Sequence, residues 1–297
     1  MIFSHTISVI IPTFNRAKTI ARSMDSVLLQ TFSPMEIIVV DDGSTDDTMT
    51  VMQNYRDTRI KYLRLASNQG AQNARIRGIQ ESQGDFLAFL DSDDEWSKDS
   101  LEIRLTSFFA AGFSEGLIYG DAAYRGAKNI SFHFKKLSGI EYRYLLKELS
   151  LCPFSVMMIS RSCFVKCGLP SADFPSWQDD DMVLTVGKLF PVHHCGSVVA
   201  IMHRSPSSIS LNKHAIYHGC QRIVSKYAND IKQYRGYFRL LLWELRVANS
   251  LIASKISTNR SMANEHAPLI MLKLPFLLLS HKMLKVFLRL FFERVDF

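Results

Sequence analysis

Short apolar runs alternate with amphipathic segments over the first 121 residues of this 297-residue chain. The runs at 7–12, 37–40 and 86–90 are almost wholly apolar, which is typical of strands that are buried on both faces of a sheet. The segments between them space their apolar residues as helices do. This alternation predicts an α/β fold, a mostly parallel sheet with helices on both faces. Ligands of such sheets bind beyond the carboxyl ends of the strands, so the polar residues there are the candidates for chemistry.

The pattern also gives approximate bounds for the elements. Strands are predicted at Ile7–Pro12, Glu36–Asp41, Ile60–Leu65, Phe86–Leu90, Leu117–Tyr119, Ser155–Ser160 and Ser197–His203. Helices are predicted at Lys18–Leu29, Thr45–Tyr55, Gly70–Gln80, Lys98–Phe109, Ser138–Leu149, Gln178–Leu189 and over 215–256. The segment Tyr124–Lys136 reads as a loop or a hairpin.

Composition narrows the class of protein. With 47% hydrophobic and 21% charged residues, the chain is globular rather than disordered. Its five cysteines have no zinc-finger spacing, which favours reduced thiols over a metal site or a disulfide framework. The first strand begins near Ile7 without a basic region and a long apolar stretch before it, so we expect no signal peptide and a cytoplasmic location.

Charge is distributed unevenly along the chain. Residues 1–121 carry 11 basic and 17 acidic side chains, whereas the whole chain has a net charge of +7. The acidic part is a poor surface for nucleic acid and suits a site that is built around a cation. The basic part suits anionic lipid or a phosphate-bearing ligand, although an ordinary solvated surface has the same appearance.

The strongest local signal for chemistry is Asp91-Ser92-Asp93-Asp94, directly after the apolar run FLAFL. Three carboxylates within four residues repel one another unless a cation holds them. Two of them at a strand end can bind one divalent ion that also binds a diphosphate. Acidic loops are common in proteins, so the position after a buried strand carries this interpretation.

Two further acidic segments follow the same logic. In Asp41-Asp42-Gly43-Ser44, a carboxylate can accept hydrogen bonds from a base or a ribose, while Gly43 lets the turn approach a ligand. A helix cap and turn would use the same residues. In Trp177-Gln178-Asp179-Asp180-Asp181, a carboxylate can take a proton from an attacking hydroxyl. An acidic helix N-terminus that complements the helix dipole is the structural alternative.

Taken together, these segments resemble the inverting family-2 glycosyltransferases. The resemblance is carried by ISVIIPTFNRAKTIARSMDSVLLQTF, EIIVVDDGSTDDT, NQGAQNARIRGI, GDFLAFLDSDDEW and WQDDDMVLTV, in the family's order and spacing over about residues 5–210. It implies a GT-A fold, a nucleoside-diphosphate sugar as donor (often UDP-linked) and Mg²⁺ or Mn²⁺ as the cofactor. It further implies a catalytic domain at 1–215, with a donor half at 1–121 and an acceptor half at 122–215. A helical extension occupies 216–297.

The resemblance assigns the donor site residue by residue. Pro12, Thr13 and Phe14 would lie along the donor base, and Asp42 would contact that base by a hydrogen bond. Arg75 would lie near the donor pocket.

The same resemblance assigns the cation site and the base. Asp91 would reach the ribose or the metal, Asp93 would be the main metal ligand, and Asp94 would support it. His203 falls where the family often has a basic residue that faces the diphosphate or the metal. Asp179 would be the catalytic base.

This chain departs from the family pattern at three positions. Gln178 stands where the family usually has a glutamate before the base, and Asp180 stands where an aromatic residue usually follows it. Either Asp179 or Asp180 can therefore be the base. Ile76 stands where an asparagine normally follows the Ala-Arg pair, which weakens the expected donor contacts of that helix.

Other classes of protein fit less well. A signalling receiver domain needs its acidic pair after the first strand, where this chain has Pro-Thr-Phe-Asn. A sugar nucleotidyltransferase needs a glycine-rich, basic phosphate loop there. A catalytically inactive sugar-nucleotide binder of the same fold remains as an alternative. The acceptor class implied by the resemblance is a bacterial envelope glycan or glycolipid, such as lipopolysaccharide, O-antigen or capsule.

The C-terminal segment 269–297 is far more apolar than the rest of the chain. Its cations Lys282, Lys285 and Arg289 recur at helical spacing, and its uncharged run stops at Ser280, too short to cross a membrane. The pattern is typical of a helix that lies in the membrane surface. It therefore predicts peripheral attachment to the cytoplasmic face of the inner membrane, near a lipid-linked acceptor. A helix packed on the catalytic domain or on a dimer partner is the alternative.

Overall fold

A computed structural model describes residues 5–33, 36–125, 130–134, 136–146, 152–203 and 212–233. The predicted membrane-surface helix at 269–297 lies outside these residues, as does most of the predicted helical extension.

The described residues form one mixed sheet of ten strands, in the order β3-β2-β1-β4-β9-β6-β10-β5, with β7 on β6 and β8 on β10. The strands are β1 (Ile7–Thr13), β2 (Glu36–Asp41), β3 (Ile60–Arg64), β4 (Phe86–Phe89), β5 (Glu95–Trp96), β6 (Leu117–Arg125), β7 (Ile130–Phe132), β8 (Ser138–Gly139), β9 (Met157–Ser160) and β10 (Val192–His203).

Nine α-helices surround this sheet in the described part of the chain. They are α1 (Ile20–Leu28), α2 (Thr48–Met52), α3 (Ala71–Glu81), α4 (Ser100–Ala110), α5 (Tyr142–Leu145), α6 (Arg161–Cys167), α7 (Gln178–Gly187), α8 (Lys213–Lys226) and α9 (Ala228–Gln233), and a 3₁₀ helix at Phe154–Val156 precedes β9.

Helices cover both faces of the sheet, as neighbouring residues of β10 demonstrate. His193 contacts Ser107 of α4 through its imidazole at 2.9 Å. Val192, which points the opposite way along a strand, lies against Gly187 of α7, where an added Cβ would come within 3.1 Å of its side chain. The two sides of one strand therefore face two different helices.

The strand register brings the polar segments to one edge. Thr13 at the end of β1 pairs with Asp41 at the end of β2, and both strands run parallel. Strand β4 is also parallel to β1, with Phe89 beside Ile10, so the segment that begins at Asp91 emerges at the same edge. The carboxyl ends of β1, β2 and β4 thus converge where the sequence places its acidic clusters.

The sheet is less uniformly parallel than the sequence predicts. Strand β9 runs antiparallel to both β4 and β6, and it restores β6 to the direction of β4. An apolar run such as β9 reads the same in either direction, so the hydrophobic pattern could not reveal this reversal.

Several elements differ from the sequence-based bounds, among them β6 and β10, which are longer than predicted, and α2, which is shorter. The two-residue strand β5 and the seven-residue helix α6 were not predicted, since both are too short for a clear period. In the described part of the segment predicted as a helix at Ser138–Leu149, the first residues form β8 against β10, and the helix α5 covers Tyr142–Leu145.

The described part of the C-terminal extension packs against the catalytic part. Cys220, Ile223, Tyr227 and Ile231 belong to the same buried cluster as the sheet residues. Helix α8 is held by Asp181, a fully buried residue of α7 that accepts hydrogen bonds from Lys226 at 2.6 Å and Tyr227 at 2.8 Å. None of the helices in the described ranges is long and apolar enough to cross a membrane.

Candidate active site

A cleft of about 570 Å³ opens at the edge where β1, β2 and β4 end. It has the size of a small-molecule site. The residues that line it come from the end of β1, from the segments after β1, β2, β3 and β4, and from the first two turns of α3: Pro12, Thr13, Phe14, Asn15, Arg16, Asp42, Asn68, Gly70, Ala71, Ala74, Arg75, Asp91, Ser92 and Asp93.

The segment after β1 gives the cleft an apolar floor and one open hydrogen-bonding group. The ring of Phe14 is 37% exposed. The hydroxyl of Thr13 is buried and has no hydrogen-bond partner among the described residues. Because a buried polar group without a partner is costly, this hydroxyl is available to a ligand.

Asp42 lines the cleft, but its carboxylate also shapes the protein. Its two oxygens accept hydrogen bonds from the backbone N–H groups of Gln69 at 2.8 Å and Gly70 at 2.7 Å. Asp42 therefore fixes the loop that leads into α3, and each of its oxygens has a second lone pair left for a ligand.

Gly43 serves a contact within the protein rather than the expected approach to a ligand. It adopts a left-handed φ of 78°, and a Cβ at this position would lie 2.9 Å from the backbone carbon of Ser67. The glycine lets the turn after β2 pack against the loop after β3.

Asn15 locks two of the cleft's loops together. It lies in the left-handed region with φ of 52°, and its side-chain oxygen accepts hydrogen bonds from the backbone N–H of Thr45 at 2.8 Å and of Asp46 at 3.3 Å. Its own N–H donates to Ser44 Oγ at 2.9 Å. No local pattern in the sequence reveals this role of Asn15, because its partners are about 30 residues away.

Helix α1 holds the backbone of the acidic loop that follows β4. Thr19 donates to the carbonyl of Ser92 at 2.9 Å, Ser23 donates to the carbonyl of Asp94 at 2.6 Å, and Arg22 donates to the carbonyl of Asp93. Bonds to three successive carbonyls fix the loop, so the directions of its side chains are set by the fold.

Asp91 and Asp93 are the carboxylates that this loop presents to the cleft. Burial and the neighbouring charge of Asp91 raise the pKa of Asp93 above its ordinary value. Arg16, from the segment after β1, lies 3.5 Å from Asp93 and offsets part of this charge. A second carboxylate this close to Asp93 makes the pair a candidate site for a cation.

Asp94 and His203, which the resemblance assigned to the metal, point away from the cleft. The buried carboxylate of Asp94 accepts hydrogen bonds from Ser155 Oγ at 2.6 Å and from the backbone N–H of His203 at 3.1 Å. The imidazole of His203 lies 3.0 Å from Glu95. Burial and the charge of Asp91 raise the pKa of Asp94 to about 8. Because Ser155 and the His203 backbone hold Asp94, and Glu95 holds the imidazole of His203, neither side chain is a candidate ligand for a cation in the cleft.

The residues at the cleft fit a divalent ion that a ligand shares. Within the described ranges, no group of three or more histidine, cysteine or acidic side chains is arranged to hold a metal ion alone. Mg²⁺ typically uses one or two carboxylates and completes its coordination with water and substrate phosphates. The oxygen donors of Asp91 and Asp93 suit Mg²⁺ or Mn²⁺ by this criterion.

Arg75 ties the acidic loop to a helix of the other half of the chain. Its guanidinium is 5% exposed and donates to Asp91 Oδ1 at 2.6 Å and to Gln178 Oε1 at 2.8 Å. It also lies 4.0 Å above the ring of Phe154. The planar fork of an arginine can contact two acceptors and an aromatic face at once. Arg75 therefore links the cation site to the start of α7.

Helix α7 brings its acidic first turn toward this arginine. Trp177 precedes the helix in a left-handed conformation with φ of 64°, and its indole N–H donates to the carbonyl of Ile216 at 3.0 Å. Asp179 follows one residue after Gln178 and is partly exposed. Burial raises the pKa of Asp179, and the charge of Arg75 opposes that effect in part. A carboxylate with a raised pKa beside a cleft is a candidate general base.

The two acidic residues after Asp179 have different surroundings. Asp181 is fully buried and anchors α8, which removes it from the chemistry. Asp180 is 5% exposed, whereas Asp179 retains contact with solvent. Both Asp179 and Asp180 lie close enough to the buried Cys152 for their charges to contribute, after burial, to its raised pKa. Asp179 is therefore more accessible to an incoming substrate than Asp180, which makes it the better candidate for the general base.

Comparisons with known proteins agree with this geometry. The family model described as Glycosyl transferase family 2 matches residues 8–166. A UDP-Glc:alpha-D-GlcNAc-diphosphoundecaprenol beta-1,3-glucosyltransferase of Escherichia coli is 32% identical over 213 residues, which are 70% of this chain and 81% of that protein. A GalNAc(5)-diNAcBac-PP-undecaprenol beta-1,3-glucosyltransferase of Campylobacter jejuni is 29% identical over 238 residues, 76% of this chain and 75% of that protein.

A solved structure with the same fold is that of S. aureus TarS in complex with UDP-GlcNAc. It superposes with a TM-score of 0.66 at 19% identity and covers 86% of this chain and 74% of that chain. The α/β fold class predicted from the sequence is confirmed by this likeness, and the family resemblance is confirmed by the family model.

Proposed function

The chain belongs to glycosyl transferase family 2, and from this membership we propose that it transfers a sugar from a UDP-sugar to a hydroxyl of a lipid-linked cell-envelope glycan, with inversion. The observation that supports the proposal is the pair of hydrogen bonds made by Arg75. They connect Asp91 at the donor cleft to the start of the helix that carries the candidate base. Donor, cation and acceptor hydroxyl would meet at this point.

The donor would occupy the cleft at the edge of the sheet. Its base would lie along Pro12, Thr13 and Phe14, where the buried hydroxyl of Thr13 lacks a partner among the described residues. Asp42 would accept a hydrogen bond from the base with the lone pairs that the backbone of 69–70 leaves open. Arg75 would keep Asp91 oriented toward the diphosphate.

A divalent cation would be held by Asp93 and Asp91. When it is bound, it neutralises charge on the departing nucleoside diphosphate. Arg16 lies beside Asp93 and contributes a second positive charge at this end of the cleft. The partly buried position of both carboxylates strengthens their attraction for a cation, because the local dielectric is lower than in water.

Asp179 would act as the general base. It removes the proton from the acceptor hydroxyl as the hydroxyl oxygen attacks the anomeric carbon from the side opposite the leaving group. A single direct displacement of this kind inverts the anomeric centre. The raised pKa of Asp179 suits the role, since a stronger carboxylate base takes the proton more readily.

The acceptor class rests on the relatives. The E. coli and C. jejuni proteins are described as acting on undecaprenol-linked diphosphate acceptors. An active site reaches such an acceptor when the enzyme lies on the membrane surface. Segment 269–297 would attach the enzyme peripherally to the cytoplasmic face of the inner membrane through its amphipathic pattern.

The test is transfer by the purified full chain from a panel of UDP-sugars to a diphosphate-linked acceptor with an N-acetylhexosamine at its end, with and without Mn²⁺. We expect a glycosylated product whose new linkage has the inverted configuration by NMR. Donor binding without transfer to any acceptor, or hydrolysis that the Asp179→Asn variant retains in full, would contradict the proposal. A product with retained configuration would exclude the mechanism.

A further inference from the structure

The side chain of Gln178 makes two hydrogen bonds that require an acceptor at one end and a donor at the other, as an amide provides. It is the first residue of α7, next to Asp179, and it is 9% exposed. Its Oε1 accepts a hydrogen bond from Arg75 at 2.8 Å, and its Nε2 donates one to the carbonyl of Phe174 at 2.8 Å. One end of the side chain therefore acts as an acceptor and the other as a donor.

An ionised glutamate of the same length could satisfy Arg75 but not Phe174. It has no hydrogen to offer the Phe174 carbonyl, so two oxygens would face each other in a buried place. It would also add a negative charge to a pocket that already holds Asp91 and Asp179 around the single guanidinium of Arg75. The neutral amide leaves the charge of Arg75 to those two carboxylates.

We propose that Gln178 is a positioning residue for glycosyl transfer: its neutral amide bonds both the Phe174 carbonyl and the Arg75 guanidinium that holds Asp91, and so fixes the first turn of α7, where Asp179 lies, without adding a charge beside the base. This inference rests on the proposed function, because it takes Asp179 to be the base.

The charged groups around Asp179 determine what a change at Gln178 does. Burial raises the pKa of Asp179, and the charge of Asp91 adds to this, whereas the hydrogen bond from the Asp180 N–H and the charge of Arg75 from α3 lower it. Asp180 follows it on the same helix, and the thiol of Cys152, which burial keeps protonated, lies nearby. The charge of Arg75 therefore acts together with the hydrogen bond from Asp180 to oppose protonation of Asp179, and Gln178 holds Arg75 through a hydrogen bond of 2.8 Å.

Two substitutions separate charge from hydrogen bonding. Gln178→Glu keeps the length and adds a negative charge, so the titration of Asp179 should move upward by about one pH unit, the size of effect that a neighbouring charge gives. Gln178→Met keeps the approximate volume without a charge and removes both hydrogen bonds. It should lower turnover and move the titration upward by less than half as much.

The titration is measured in two independent ways. In protein labelled with ¹³C at the aspartate carboxyls, the resonance that is missing from the Asp179→Asn variant reports the ionisation of Asp179 directly. The pH dependence of kcat/KM for the acceptor reports ionisation of the base. Upward movement of both in Gln178→Glu supports the inference.

The remaining outcomes are each decisive. If the resonance moves but the rate profile does not, Gln178 has the proposed effect on Asp179, and the assignment of Asp179 as base fails. If neither moves although the variant is folded, the amide is only structural and the inference is overturned. Should Gln178→Glu not fold, the smaller upward movement is sought in Gln178→Met, and an unmoved resonance there overturns the inference as well.

Discussion

Replacing Arg75 by lysine is the sharpest test of the link between the two halves of the site. The substitution keeps the positive charge but exchanges a planar fork for one ammonium group on a flexible stem. The guanidinium contacts Asp91, Gln178 and the ring of Phe154 simultaneously. A lysine ammonium cannot reach all three, and we expect it to keep the contact with Asp91.

The structure sets the size of the expected loss. A hydrogen bond from a charged donor contributes about 1.5–3 kcal/mol, and the one to Gln178 would be lost in a buried place. Stacking of the cation on Phe154 adds roughly 0.5–2 kcal/mol. The side chain of Asp91 is 33% exposed and can be hydrated, so a weaker contact between residue 75 and Asp91 contributes little to the loss of stability. We therefore expect Arg75→Lys to lower the free energy of unfolding by about 2–4 kcal/mol.

Chemical and thermal denaturation measure this loss, and Arg77→Lys is the matched control. Arg77 lies on the same helix, is 50% exposed and pairs with Glu81 one turn later. Its substitution should leave the melting temperature nearly unchanged, while Arg75→Lys should lower it by on the order of 5–10 °C. Turnover should fall by about 10²-fold, because a small displacement of a reacting group is enough for that. Equal melting temperatures for the two variants would refute the idea that Arg75 stabilises the protein by linking Asp91, Gln178 and Phe154.

Four further predictions concern the proposed chemistry and the membrane. Asp93→Asn should abolish most transfer and the response to Mn²⁺. The control Asp99→Asn changes an exposed residue just before α4 and should leave both intact. Full wild-type activity in excess EDTA would contradict this prediction. Asp179→Asn should lower turnover about 10²–10⁴-fold with UDP affinity unchanged, as calorimetry would measure, and if Asp180→Asn has this effect instead, the base is one residue further on. Wild-type turnover should fall as the pH drops through the raised pKa of Asp179, because the base works only as a carboxylate. Deleting 269–297 should release the protein from vesicles of anionic lipid but spare donor hydrolysis; a truncated chain that still sediments with the vesicles would end the anchoring idea.

Much of the fold was predictable because its signals are local. The apolar runs of β1, β2 and β4 lie within a residue or two of their predicted bounds, since a strand that is buried on both faces must be apolar throughout. Strand direction is not local. The antiparallel course of β9 depends on which strands flank it, and the residues of β9 themselves do not contain that information.

The candidate site, too, has features that the local sequence predicts and features that depend on distant residues. The positions of Asp42, Asp91 and Asp93 followed from strand ends, and the structure places all three along one cleft. Asp94 reads identically in the sequence, yet Ser155, 61 residues later, draws its carboxylate into the interior. A run of adjacent acids indicates where a cation site is to be sought, but the fold decides which of its members face the cleft.

The departure at Gln178 shows what a sequence motif can and cannot convey. Compared with the family pattern, a glutamine before the base looks like a weakened motif, because the motif records a residue type without its partners. In the structure the same residue has a donor on one side, 103 positions earlier in Arg75, and an acceptor on the other in Phe174. These two partners demand an amide. Since an amide also withholds a charge from a pocket that already has two carboxylates, the departure has a functional consequence that the pH profile of Gln178→Glu can measure.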